Sequence, residues 1–328
     1  MMVKRWVLCT LLLCSIACRD APTPSSSNTS ALTPSVRELS LSGPDSGTLH
    51  LPSNLTSVKF AVIGDSGRGT PPQHEVAAQM VRFRESFPYQ FVLMLGDNIY
   101  EGPATADDYR RKFEEPYRGL LDAGVELDDP RQIAYQPFNM NGERYYTFAP
   151  PVDVVTKIAT RVEFFAIDSS NLDGQQLRWL DQRLGASTAE WKIVFLHHPL
   201  YTSGRYTRSS RAHRWALEPM FVRHGVDAVF SGHEHIYQRA ALQHGIQYFI
   251  SGAAGSLRLG DGSVASYIAK TYDNDYHFML IEIDGDDMHF QAINRTGETI
   301  DAGTLYQDEN DARERDRDVR PPGTAARQ

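Results

Sequence analysis

The sequence predicts an α/β protein, a four-layer α-β-β-α sandwich of two mixed sheets flanked by helices. Three observations point there. Short apolar runs rich in β-branched and aromatic residues alternate with amphipathic helical stretches through most of the chain. Late apolar runs follow one another with no long helix between them. Finally, the apolar runs keep ending in aspartate or histidine.

The folded part opens with SVKFAVIGD, a strand that stops at Gly64 and Asp65. Pro72 suits the first turn of a helix in which Val76, Ala77, Met80 and Val81 recur at three and four residues. QFVLMLGDNIY repeats the strand and ends at Asp97. RVEFFAID ends at Asp168, and DGQQLRWLDQRL places Leu177, Leu180 and Leu184 on one helical face. WKIVFLHHP ends at His197, RWALEPMFVRHG reads as the next helix, and VDAVFSGHEH delivers His233 and His235. IQYFISG, HFMLIEID and MHFQAIN read as closely paired strands completing a second sheet.

The ends of the chain differ in kind. Lys4 and Arg5 precede an apolar run from Trp6 to Leu13, too short to span a bilayer, and small residues lead to Cys18. Residues 1–18 therefore read as a secretory signal. Ser15-Ile16-Ala17-Cys18 before a Pro/Ser/Thr stretch resembles a lipoprotein signal, with Ser15 where leucine is usual. Two outcomes follow: a periplasmic or outer-membrane lipoprotein held by a lipid on Cys18, or a cleaved, secreted protein. Cys9, Cys14 and Cys18 are the only cysteines, so the mature domain contains no internal disulfide. Residues 19–53 read as a disordered tether, 54–306 as the folded domain and 307–328 as a disordered charged tail. With 328 residues, 41% of them hydrophobic, the chain can bury a substantial core, and a net charge of -8 argues against a nucleic-acid partner. Oligomeric state has no signature here.

In open α/β sheets, ligands gather beyond the carboxyl ends of strands. Asp65, Asp97, His197, His233 and His235 are side-chain types that hold transition metals, and five exceed the needs of one ion. Taken singly, each is as readily a loop cap or a structural histidine. Gly232-His233-Glu234-His235 is harder to read that way, because glycine permits close approach and alternation puts both histidines on one side.

These motifs resemble the calcineurin-like metallophosphoesterase family and, within it, the purple acid phosphatase branch. Asp65-Ser66-Gly67 resembles its Asp-x-Gly, Gly96-Asp97-Asn98-Ile99-Tyr100 its Gly-Asp-x-x-Tyr, His197-His198-Pro199 its His-x-Pro, and Gly232 to His235 its Gly-His-x-His. The resemblance spans roughly Val58 to Gly255, and Tyr100 is the mark of the purple branch. It implies a ferric ion at Asp65, Asp97, Tyr100 and His235. Asp97 would bridge to a second ion, Fe2+, Zn2+ or Mn2+, at His197 and His233. It further implies hydrolysis of small phosphate monoesters by a metal-activated hydroxide at acid pH.

The chain also departs from that pattern. The family carries Gly-Asn-His, supplying a metal ligand and a general acid, between its Gly-Asp-x-x-Tyr and His-x-Pro motifs. Here no Gly-Asn-His occurs, and no histidine lies between His74 and His197. The gap falls near Glu126-Leu127-Asp128, where one apolar residue and Pro130 argue for a loop rather than a strand. Asn139 and Asn141 are the nearest amides. A phosphate-side histidine of relatives is replaced by Tyr206, with His213 in the following helix, and Arg205 is a candidate phosphate contact or a surface arginine. The expectation is an exported phosphatase impaired by the missing pair. The alternatives are a catalytically inactive metal- or phosphate-binding lipoprotein and a phosphodiesterase.

Overall fold

The computed structural model describes residues 34–41, 46–101, 104–128, 143–150 and 162–307. The expected signal at 1–18, most of the expected tether, residues 308–328 of the expected tail, Asn139 and Asn141 lie outside the described residues. Among those described, no helix is long and apolar enough to cross a membrane.

Two seven-stranded mixed sheets face each other. The first runs β1 (Ser35–Glu38), β14 (Thr299–Tyr306), β13 (Asp287–Asn294), β12 (His277–Asp284), β2 (Val58–Ile63), β3 (Phe91–Met94), β4 (Glu126–Asp128). The second runs β11 (Ile268–Tyr272), β9 (Tyr237–Ala240), β10 (Gln247–Ser251), β8 (Ala228–Ser231), β7 (Trp191–Leu196), β6 (Val162–Ile167), β5 (Tyr146–Phe148). Strands β2, β3 and β4 are mutually parallel, as are β6, β7 and β8, so each sheet gathers its strand ends on one edge.

Two-residue alternation builds the layers. Val58, Phe60 and Val62 of β2 meet Val162, Phe164 and Ala166 of β6, and Ile193 and Phe195 of β7, in the central core. Phe60 stacks on Phe91 at 5.3 Å and meets Phe164 edge-on at 5.2 Å. The intervening residues Ala61 and Ile63 face α1 (Pro71–Arg84), α2 (Ala106–Tyr109) and α3 (Glu115–Leu121). On the other side Phe165, Ile167, Val194 and Leu196 pack on α4 (Gly174–Ala186) and α5 (Thr207–His224). Helix starts follow from local chemistry. Pro71 opens α1, and the Asp173 carboxylate accepts the Gln176 N–H at 2.8 Å to cap α4. In α1, Val76, Ala77 and Met80 are buried as the periodicity predicts, whereas Val81 faces outward.

Three expectations need correction. First, Glu126–Asp128 is a strand, not a loop: it pairs in parallel with β3, and Leu127 is buried. An edge strand is held largely by backbone hydrogen bonds on one side, so one apolar residue suffices where an interior strand needs several. Second, strand structure begins before residue 54, inside the stretch expected to be a disordered tether. Ser35–Glu38 pairs antiparallel with β14, and Glu38 accepts a 2.7 Å hydrogen bond from Arg239, whose guanidinium also pairs with Asp301 at 2.8 Å. Third, HFMLIEID and MHFQAIN form the paired strands β12 and β13, but these complete the first sheet through β2, while IQYFISG enters the second.

Candidate metal centre

Five of the six predicted ligands sit just past a strand: Asp65 follows β2, Asp97 follows β3, His197 follows β7, and His233 and His235 occupy the turn between β8 and β9, while Tyr100 lies in the loop after Asp97. Among the described residues, three of the seven non-glycine residues with positive φ are candidate ligands: Asp65 at 54°, Asp97 at 53° and His233 at 67°. L-residues avoid that region, and strain of this kind collects at functional sites where the surrounding structure enforces it.

One cluster comprises Asp65, Asp97 and His235, with ligand atoms all within 4.8 Å of one another. Asp65 is fully buried. Its Oδ1 accepts the Tyr100 hydroxyl at 2.9 Å and lies 3.3 Å from His235 Nε2, while its Oδ2 accepts the His233 N–H at 2.7 Å. The Tyr100 hydroxyl is also 3.0 Å from His235 Nε2. Burial pushes the Asp65 carboxyl above its usual range, with His235 pulling the other way. Burial and the neighbouring Asp65 and Asp97 carboxylates likewise raise the Tyr100 phenol well above its ordinary value. This crowding of buried oxygen donors fits a hard, highly charged cation, which would offset the cost of keeping the carboxylates charged.

A second cluster comprises His197, His198 and His233, again within 4.8 Å. His197 Nδ1 donates to the Leu95 carbonyl at 2.9 Å, which fixes its tautomer and leaves Nε2 as a lone-pair donor. That Nε2 lies 3.0 Å from His233 Nδ1 and 3.6 Å from Asp97 Oδ2. Asp97 thus belongs to the first cluster and borders the second.

The glycines set these distances. A Cβ on Gly232 would lie 2.5 Å from Asp65 Oδ2, and one on Gly67 would lie 2.1 Å from the Asn98 backbone. Glu234, between the two histidines, points away into the loop 202–206. It accepts the Thr202 hydroxyl at 3.1 Å and the Tyr206 N–H at 2.6 Å, which anchors that loop.

Residues 58–237 match the family described as Calcineurin-like phosphoesterase. The chain belongs to the calcineurin-like phosphoesterase family. It is 27% identical over 265 residues to Purple acid phosphatase 3 of Arabidopsis thaliana, covering 69% of this chain and 72% of that one. Its fold resembles purple acid phosphatase PPD1 from yellow lupin (Lupinus luteus) seeds, with a TM-score of 0.60 and 15% identity over 84% of this chain and 58% of that one. It also resembles GAP50, the anchor in the inner membrane complex of Plasmodium, at a TM-score of 0.65 and 17% identity, over 76% and 89% of the two chains.

Within this family framework, all six sequence-predicted metal ligands fall into the two clusters or, for Tyr100, in hydrogen-bond contact with the first. Arg205 does not join them; it is 61% exposed, 3.8 Å from Asp261. Two other arginines come closer. The Arg68 guanidinium lies 4.1 Å over the Tyr100 ring, and Arg258 donates to the His233 carbonyl at 3.3 Å. Neither role is legible in the sequence, because both residues lie outside the strand endings. Tyr206 packs on the His233 ring at 4.1 Å. His198 had no assigned role either, although the doubled histidine of His197-His198-Pro199 was the available signal.

Proposed function

We propose that the chain is an exported, dinuclear-metal phosphatase acting on small phosphate monoesters, in the manner of the purple acid phosphatases it is similar to. The observation that carries this reading is the position of Asp97, shared between a carboxylate-rich cluster and a histidine-rich one. Asp65, Asp97, Tyr100 and His235 would hold a ferric ion, and His197, His233 and the shared Asp97 a divalent one. When bound, such a pair supplies Lewis-acid charge against a phosphate ester and a water acid enough to react near neutral pH.

The chain's own residues then have definite tasks. The Leu95 carbonyl and the His233 backbone N–H hold the ligands of both sheets in register, and the buried Glu234 keeps the loop carrying Arg205 and Tyr206 in place. Arg258, placed between the Tyr206 ring and the His233 carbonyl, offers a cation to an anionic substrate. Export rests on Lys4, Arg5 and the apolar run ahead of Cys18, with lipid on Cys18 as the membrane link.

The absent Gly-Asn-His supports a second reading, a metal- or phosphate-binding protein without turnover. A missing general acid costs about 10²- to 10⁴-fold in rate. Metal analysis combined with p-nitrophenyl phosphate hydrolysis between about pH 4 and 7 separates the two. Two ions with turnover support the phosphatase; two ions without turnover above buffer support the binding protein. Bis-p-nitrophenyl phosphate as a parallel substrate tests diester cleavage.

A further inference from the structure

We propose that Glu234 is a positioning residue for substrate affinity: buried between the candidate ligands His233 and His235, it holds the guanidinium of Arg258 where the substrate's phosphate is received. This assignment rests on the two-metal reading above and deepens it. Arg258 is the cation that binds; Glu234 acts through it.

Glu234 is fully buried, clasped between two loops. Its Oε1 accepts the Tyr206 N–H at 2.6 Å, and a Cβ on Gly204 would lie 2.9 Å from the carboxylate, so loop 202–206 closes on it. A Cβ on Gly252 would lie 2.1 Å from the Glu234 carbonyl, so the segment leading to Arg258 runs against its backbone. Oε2 accepts no hydrogen bond among the described residues, and Arg258 Nη1 lies 3.6 Å from it. A buried carboxylate oxygen without a hydrogen bond is costly, and a guanidinium at that range offsets the cost.

Arg258 is fixed at both ends. Its backbone N–H donates to the His235 carbonyl at 3.0 Å, its Nη1 donates to the His233 carbonyl at 3.3 Å, and its guanidinium lies 5.1 Å from the centre of the Tyr206 ring. That ring packs 4.1 Å from the His233 ring, which places the guanidinium beside the second cluster. The side chain is 19% exposed, yet among the described residues it makes that single hydrogen bond, although a guanidinium carries five N–H donors. A fork of donors is left for two oxygens of a phosphate, and the Glu234 counter-charge keeps it in place before substrate arrives.

The test uses the purified, metal-loaded chain with inorganic phosphate as the probe, its affinity read by isothermal titration calorimetry, ion counts by mass spectrometry, and the KM for p-nitrophenyl phosphate beside them. Arg258→Met should weaken phosphate by about 10- to 100-fold, the loss of hydrogen bonds to a charged group. Glu234→Gln keeps an oxygen for the Tyr206 N–H and removes the counter-charge; it should weaken phosphate and raise KM by about 2- to 10-fold. In an Arg258→Met background the same change should weaken phosphate no further, a non-additivity that a purely structural role would not produce. Both variants should retain two ions. Phosphate bound by Arg258→Met as tightly as by wild type would overturn the assignment even if Glu234→Gln failed to fold. Equal losses from Glu234→Gln in both backgrounds would overturn it as well. A wild-type chain that takes up no pair of ions would overturn the two-metal reading with it.

Discussion

The backbone N–H of His233 donates to Asp65 Oδ2 at 2.7 Å, joining the end of a strand in the second sheet to a buried carboxylate of the first. The contact is possible because residue 232 is glycine. The two sheets therefore meet at the candidate metal centre through main chain on one side and side chain on the other, and small changes there act on both clusters.

Gly232→Ala should separate the sheets at this point. Its Cβ would fall 2.5 Å from Asp65 Oδ2, and that fully buried carboxylate has no room to withdraw. Overpacking of this kind costs about 1–3 kcal/mol. Thermal melting should show the loss, and metal analysis should show weakened binding at the Asp65 cluster. An unchanged melting temperature with full metal content would remove the glycine from the account.

Tyr100→Phe should abolish any visible tyrosinate-to-iron absorption in iron-loaded protein while leaving the fold intact. The hydroxyl donates to Asp65 Oδ1 at 2.9 Å and lies 3.0 Å from His235 Nε2, and the loss of each such bond costs about 0.5–1.5 kcal/mol. Absorption spectra before and after the substitution decide the matter; a band that survives would assign the colour elsewhere.

His277 should make the fold less stable in acid. It is fully buried against Tyr237, with ring centroids 5.5 Å apart, and burial pushes its imidazole down to about 3. Below the ordinary value of 6.5 the unfolded chain takes up a proton that the folded chain refuses. Stability is therefore full above that value and falls as pH drops toward about 3, by up to about 1.4 kcal/mol per pH unit. At about pH 4.5 the loss amounts to roughly 2–3 kcal/mol. His277→Phe should flatten the dependence of melting temperature on pH between about 7 and 4.5, whatever its constant offset. Parallel wild-type and variant curves would contradict this.

Because β4 is present, the place for the missing motif is after it. Inserting Gly-Asn-His between Asp128 and Asp129 preserves the pairing of Glu126–Asp128 with β3, whereas insertion inside the strand would break it. If the general acid is what the chain lacks, phosphomonoester hydrolysis should rise by about 10²-fold or more. No rise would mean that another group already performs that task.

The strand endings were legible because period-two apolar runs terminate in residues that have no reason to sit against a core. Asp65, Asp97, His197, His233 and His235 were found that way, and the structure brings all five together. What stayed hidden depends on partners distant in sequence. Strands β1 and β4 hold through backbone pairing at sheet edges, so Ser35–Glu38 and Glu126–Asp128 carry little apolar signal. The assignment of β12 and β13 to the first sheet is set by pairing with β2, more than two hundred residues earlier, which no local pattern encodes. His198 escaped for a related reason. Its orientation depends on Ser169 and His213, from different elements, and alternation alone would turn it away from His197.

Asp97 is the hinge of the functional reading, standing in one cluster and 3.6 Å from His197 Nε2 of the other. The direct test is the metal content of purified Asp97→Ala beside wild type. The shared-ligand arrangement predicts two ions per wild-type chain and loss of both in the variant. An Asp97→Ala chain that still holds two ions would contradict it.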